Sequence, residues 1–444
     1  MQQSDIAPEK AIAPPSNVYG WYVVGVLIVA YTISYVDRTI LTLLVKPIRE
    51  SLQISDTQLS LLHGLAFAVF YTFLGIPIAR LADRHNRTRI IALGIAVWSL
   101  MTALCGFAKN FGQLFLARVG VGVGEAALSP AAYSILSDYF KGAALTRALS
   151  VYTSAIYIGA GLALMIGGAV IATVPALDLP VLGHFEPWQV VFLFVGLPGL
   201  LVAVWMLTVR EPVRTGMSRA ATAGQSLPVR AVARYIGDRA GAYGFLIAGL
   251  SASSLLWNGS MAWIPTFFIR TFEWTPAMIG MRFGLMLLVF GTAGILFGGW
   301  FSGWLRNRGH MDANLLVGVL SAVLVFLPGI IAPLIADETL CFAAFCAFVL
   351  AGSMPYGAAG AAFQDITPNQ MRAQVIAIYF FFLNLAGIGL GPTVVALFTD
   401  QVFGDDLAVK YSLVAVAAIM APLAALLLWV GRRSYRKCLA EIEF

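Results

Sequence analysis

The chain has 444 residues, 59% of them hydrophobic and only 11% charged, with a mean hydropathy of +0.84. Charged residues make up roughly a quarter of an ordinary soluble domain, so this composition excludes one. The net charge of +6 does not indicate a nucleic-acid partner, because basic residues of a polytopic membrane protein collect in its cytoplasmic loops.

Residues 1–19 are polar and proline-containing, without the apolar core and small-residue cleavage site of a secretory signal, and read as a cytoplasmic segment. Apolar stretches follow at 21–45, 59–79, 90–108, 111–140, 147–174 and 188–207, then at 240–268, 277–304, 314–335, 340–363, 372–398 and 411–430. Each is long enough to cross a hydrocarbon core of about 30 Å as a helix of about 20 residues. The expected fold is an all-α membrane protein of twelve transmembrane helices in two pseudo-symmetric six-helix halves, 20–207 and 240–431. The arginine-rich segment 208–239 reads as a cytoplasmic linker and 432–444 as a cytoplasmic tail. Twenty lysines and arginines fall in the N-terminus, even loops, linker and tail against five in the odd loops, which places both termini in the cytoplasm.

The other three arginines, Arg38, Arg118 and Arg282, lie inside expected spans, where a charge is costly and demands a reason. In the first span, Asp37 and Arg38 sit about 24 Å from the cytoplasmic end at 1.5 Å per residue. Adjacent residues on a helix point about 100° apart, so one of the two is expected to face a cavity and the other a neighbouring helix. At the end of the second span, Asp83 with Arg84, Arg87 and Arg89 reads as an ionic latch that holds one transport state closed. The fourth span carries Arg118, Gly120, Gly122, Gly124 and Glu125. Arg118 and Glu125 share a face, Arg118 matches Asp37 in depth, and Glu125 lies near mid-depth. An acid there, without a lysine in its own span, is a candidate proton carrier because burial penalises its charge. Arg118 can pair with either carboxylate or with an anionic cargo.

Gly159, Gly161, Gly167 and Gly168 in the fifth span suit packing and bending. A weak repeat links Arg147, Tyr152, Gly159 and Gly161 to Arg372, Tyr379, Gly387 and Gly389, which supports two related halves meeting at a midplane cavity. The second half offers aromatic and neutral polar residues instead of charges: Trp257, Asn258, Trp263, Tyr356, Phe363, Tyr379 and Asn384. A cavity with charges on one wall and aromatic groups on the other suits an amphiphile. The four cysteines and four histidines show no disulfide or metal-ligand spacing, so no metal or cofactor is expected. Neither a catalytic triad nor a phosphate-binding lysine loop is present, which argues against an enzyme and against ATP-driven pumping.

These residues resemble a family. Asp83-Arg84 with Arg87 and Arg89 is similar to the loop signature of the major facilitator superfamily, and Arg118, Gly122 and Gly124 match its span-four motif. Tyr35-Val36-Asp37-Arg38, Leu81-Ala82-Asp83-Arg84-His85-Asn86-Arg87 and Gly122-Val123-Gly124-Glu125-Ala126 together resemble the spinster branch, in a bacterial member. Ala79 and Asn86 replace the usual loop glycines, and Gly303 stands where the second half's signature would have an aspartate. The resemblance implies the major facilitator fold in a bacterial inner membrane and export of sphingosine phosphate or lysolipids. It further implies a polar cavity end formed by Asp37, Arg38, Arg118 and Glu125, with protons driving transport. Expected substrate contacts are those four with Trp257, Asn258, Tyr356 and Tyr379; expected proton carriers are Asp37 and Glu125; the expected latch is Asp83, Arg84, Arg87 and Arg147. Its partners are then an amphiphilic or lipid cargo, protons and the bilayer, with the protein acting as a monomer and without nucleic acid. A symporter of small organic anions is the alternative within the class, and a receptor or scaffold that does not transport is the alternative outside it.

Overall fold

The computed structural model describes residues 17–140, 142–179, 183–212, 229–368 and 371–442. Among them, twelve helical segments are long and apolar enough to cross a membrane: Val18–Leu43, Asp56–Gly75, Arg87–Cys105, Phe111–Tyr139, Ala155–Thr173, Pro187–Leu207, Ala240–Phe272, Pro276–Asn307, Ala313–Leu334, Glu338–Asp365, Gln374–Phe403 and Asp406–Glu441. They are spans one to twelve, and each overlaps the stretch that hydropathy predicts. Their starts follow capping chemistry. Ser55 and Gln58 form a capping box on span two, Asn86 and Asn110 cap spans three and four, and Pro187 and Pro276 open spans six and eight.

Prolines break two spans at mid-depth. Span four consists of Phe111–Glu125 and Leu128–Tyr139, because Pro130 has no N–H for the Ala126 carbonyl and its ring crowds that oxygen. Span ten is interrupted likewise by a 3₁₀ turn, Met354–Gly357, that contains Pro355. Among the described residues, three elements lie outside the spans: a helix at Val45–Leu52, an antiparallel ribbon pairing Leu177–Leu179 with Gly183–Phe185, and a helix at Val229–Asp238 within the segment expected as a plain linker. The last helix, Val409–Ile442, continues through residues expected as a tail and buries Tyr435 and Cys438.

Packing repeats between the halves. Span one packs on five and seven on eleven; three packs on six and nine on twelve; two packs on four and eight on ten. The halves meet along spans five and eight and along two and eleven. Below, the terminal face is the one where span one starts and span twelve ends, and the far face is the opposite one. Near the far face a single apolar core joins both halves, with Ile40, Leu62 and Trp188 beside Trp263, Phe268 and Val395. Away from that core, the remaining clusters of buried residues each stay within one half. The bundle is therefore sealed at its far face, and the halves separate toward the terminal face.

Candidate functional site

Spans one, two and four bring the site together in the first half. The Arg38 Nε donates to Glu125 Oε2 at 2.5 Å, and the Ser34 hydroxyl donates to the same oxygen at 2.6 Å. The Arg38 guanidinium carbon lies 4.5 Å from the centre of the Phe67 ring, 5.1 Å from Tyr71 and 5.3 Å from Tyr35. Those ring faces stabilise a cation that water reaches poorly. The Arg38 side chain is 17% exposed, whereas that of Glu125 is fully buried.

Asp37 turns away into the helix packing and is completely buried. The two neighbours thus differ in surroundings: Asp37 lies in helix packing, and Arg38 is partly exposed beside Glu125. The pairing differs from the expected one. Arg118 is 1% exposed and donates from Nη1 to the Asp37 main-chain carbonyl at 3.0 Å, and it meets neither carboxylate. Seven residues on one helix separate Arg118 from Glu125 by about 10 Å along the axis, too far for an ion pair. Arg38 takes that place from a neighbouring span. Both Asp37 carboxylate oxygens, Arg118 Nε and Glu125 Oε1 lack a hydrogen-bond partner.

Glycines allow this crowding. A Cβ on Gly122 would stand 2.7 Å from the Phe67 carbonyl oxygen, and one on Gly124 would stand 2.6 Å from the Trp98 nitrogen. Spans two and three therefore approach span four at backbone distance. Ser34, Phe67 and Tyr71 were not among the expected site residues. Ser34 lies one helical turn before Arg38, and that i,i+4 spacing was the available signal.

In the second half, Trp257 stacks on Phe348 with centroids 6.5 Å apart and tilts against Tyr356 at 6.1 Å. Tyr356 and Tyr379 line one small cavity with Ser254 and Leu383, and Trp257 lines a neighbouring one with Phe348 and Gly352. The Asn258 amide is engaged by Ser254 of its own helix. Trp263 lies elsewhere, in the far-face core, where its indole N–H donates to the Pro392 carbonyl.

Of the expected latch, the side chains of Asp83, Arg84 and Arg147 lie outside the described residues. Arg87 is buried and bonds Asp138 and Ser134 of its own half and Glu211 of the segment after span six, at 2.6 to 2.8 Å, with none of these partners in the second half. At the far face, Arg49, Asp56, Arg270, Asp400 and Asp406 converge from both halves, a cluster that loop-by-loop charge counting did not reveal. Carboxylate oxygens of the three aspartates come within 4.8 Å of one another, but guanidiniums engage Asp56 and Asp406.

Residues 27–392 match the description of the Major Facilitator Superfamily. An MFS-type efflux pump of Mycolicibacterium smegmatis is 29% identical over 435 residues, 95% of this chain and 94% of that protein. A probable L-galactonate transporter of Escherichia coli is 28% identical over 295 residues, 64% of this chain and 61% of that protein. A crystal structure of a bacterial homologue of the human lysosomal transporter Spinster, inward-facing and unoccupied, is similar with a TM-score of 0.80 and 25% identity, covering 96% of this chain and 99% of that one.

Proposed function

The chain belongs to the major facilitator superfamily and is a secondary transporter, and from that premise we propose that it moves an amphiphilic anion or zwitterion by alternating access coupled to protons. Sphingosine phosphate or a lysophospholipid is the cargo type. The observation that carries this reading is the Arg38–Glu125 pair: a partly exposed guanidinium in an aromatic cage, bound to a fully buried carboxylate. Trp257, Phe348, Tyr356 and Tyr379 in the other half offer the apolar surface that an acyl chain needs.

An anionic headgroup that engages Arg38 displaces Glu125, whose buried carboxylate is then left with Ser34 alone. A bare buried charge is costly, and taking up a proton removes it. Cargo and proton occupancy are in this way linked through one ion pair, and the linkage is reciprocal. Asp37, with no hydrogen bond on either oxygen, is the second proton acceptor, and Arg118 holds span one against span four. Asp83, Arg84, Arg87 and Arg147 form the latch at the terminal face. The lysine and arginine distribution supports cytoplasmic termini, and the likeness to bacterial transporters supports a bacterial inner-membrane location. The two halves of one chain surround the whole site, which supports a working monomer.

Purified protein in proteoliposomes with an imposed pH gradient tests this reading. Glu125→Gln, which mimics the protonated acid, is expected to bind lysolipid and fail to accumulate it, whereas Arg38→Ala loses binding of anionic cargo. Gradient-driven accumulation at the wild-type level by Glu125→Gln would remove Glu125 as the carrier. A second reading, symport of small hydroxylated organic anions, is favoured by the Ser254, Asn258 and Tyr356 polar groups in the second half and by the likeness to the L-galactonate transporter. Competition by aldonates without competition by lysolipids would select it.

A further inference from the structure

Four charged side chains close a ring across the far-face seam, two from each half. Arg49 and Asp56 belong to the first half, Arg270 and Asp406 to the second. Between the halves, the Arg49 Nη1 donates to Asp406 Oδ2 at 2.5 Å, and Arg270 grips Asp56 with both terminal nitrogens at 2.6 and 2.8 Å. Within the halves the contacts are longer: Arg49 to Asp56 is 3.1 Å, and Arg270 to Asp406 is 3.8 Å. Asp400 adds a third bond across the seam, accepting from both the backbone N–H and the hydroxyl of Thr57 at 2.6 Å in the first turn of span two. Asp56 is completely buried.

We propose that this ring is an exchange latch: it holds the far face shut through its two cross-half pairs and, on opening, returns each arginine to the aspartate of its own half. The argument rests on charge. Within the ring each half contributes one cation and one anion, so separation leaves each half's arginine–aspartate pair neutral, while Asp400 gives up only its bonds to Thr57. Without the pair inside its own half, Asp56 would emerge as a lone carboxylate from a buried setting, and removing one partner of such a pair is far more unfavourable than exchanging it. The 3.1 Å contact places the replacement partner already beside Asp56 in the closed state. A simple lock needs only the cross-half pairs. The matched pair within each half is what makes opening reversible. The latch requires only alternation between two states and is independent of what the protein carries.

Spin labels on Ser51→Cys and Thr271→Cys, both exposed at the far face, report its opening by distance measurement without any cargo, and the four native cysteines are buried. Arg270→Gln is expected to lower the closed-to-open ratio roughly tenfold or more, the scale of a lost charge-assisted bond. Asp406→Asn, at the rim of the ring, is expected to shift it in the same direction and serves if the first variant does not fold. The combined exchange Asp56→Arg with Arg270→Asp keeps attraction across the seam but puts like charges within each half. It is expected to hold the far face closed more completely than the wild type. Unchanged distances in Arg270→Gln and Asp406→Asn overturn the latch. Wild-type opening in the double exchange overturns the role of the pairs within the halves. Because cargo is absent from the measurement, a wrong cargo assignment would leave every one of these results unaffected.

Discussion

At the scale of single residues, ion-pair partners follow from reach. Arg38 projects from span one into the gap beside span four, and its planar guanidinium can both bond Glu125 and lie over Phe67. Arg118 shares a helix with Glu125 and cannot bend to it. The same logic governs Asp312, outside the spans at the terminal face. It accepts from Arg432 at 2.6 Å and Arg436 at 2.9 Å. Burial alone would raise its pKa, but the two guanidiniums outweigh burial and hold the carboxyl below its usual range. A pKa lower in the folded than in the unfolded chain contributes stability that is present above about pH 4 and lost as pH falls through the folded value. Asp312→Asn is therefore expected to unfold at lower temperature than the wild type at pH 7, with a loss of about 1–3 kcal/mol. The gap should narrow below about pH 4. Melting curves of both proteins in detergent at pH 7 and pH 3.5 check this, and a gap that widens in acid would refute it.

At the scale of elements, helix breaks and glycine contacts decide where the halves touch. The Pro130 break follows directly after Glu125, so the site acid ends a half-helix instead of sitting within an unbroken one. On one flank of the seam, a Cβ on Gly64 of span two would stand 2.5 Å from the Ile388 carbonyl oxygen of span eleven. On the other flank, a Cβ on Gly280 of span eight would stand 2.5 Å from the Leu164 carbonyl oxygen of span five. Gly161 and Gly168 face that same neighbour, whereas Gly159 and Gly167 face span one. Backbone oxygens cannot rotate away as a side chain can, so Gly64→Ala or Gly280→Ala must part the helices. Overpacking of this kind costs about 1–3 kcal/mol, enough to make the longer distance between labels at positions 51 and 271 the major population. Gly75→Ala, with nothing within 4 Å of the added carbon, is the control and should change nothing.

At the scale of the whole molecule, the two halves repeat their packing but exchange the sign of their charges. Span three opens on Arg87, held by Asp138 and Glu211. The corresponding start of span nine is preceded by Asp312, held by Arg432 and Arg436. The first ties the ends of spans three and four to the segment after span six, and the second ties the start of span nine to the end of span twelve, so each holds elements of one half together. The terminal face carries the basic excess, and its orientation is testable. Ala233→Cys on the Val229–Asp238 helix is exposed at that face. It is expected to resist an impermeant thiol reagent in intact cells and to react after permeabilisation. Labelling in intact cells would invert the orientation.

The sequence by itself determined the membrane class, the twelve spans, the division into halves and the buried charges of spans one and four, Asp37, Arg118 and Glu125, whereas Asp56, Arg87 and Asp312 are buried without having been expected so, and Arg282 is exposed. Hydropathy and the penalty on an intramembrane charge act locally, and Asp37, Arg38, Arg118 and Glu125 are conspicuous wherever their partners lie. Only the tertiary structure decided the pairings. Arg38 and Glu125 are 87 residues apart, and the far-face contacts join residues separated by 214 and 357. In sequence, Arg49 and Arg270 look like ordinary loop charges and Asp56 like a helix-starting acid. Their meeting depends on how the two six-helix bundles dock, and on which face of the molecule is closed. No local periodicity encodes that, because a helix's repeat reflects residues three and four apart, whereas these contacts join residues of different halves.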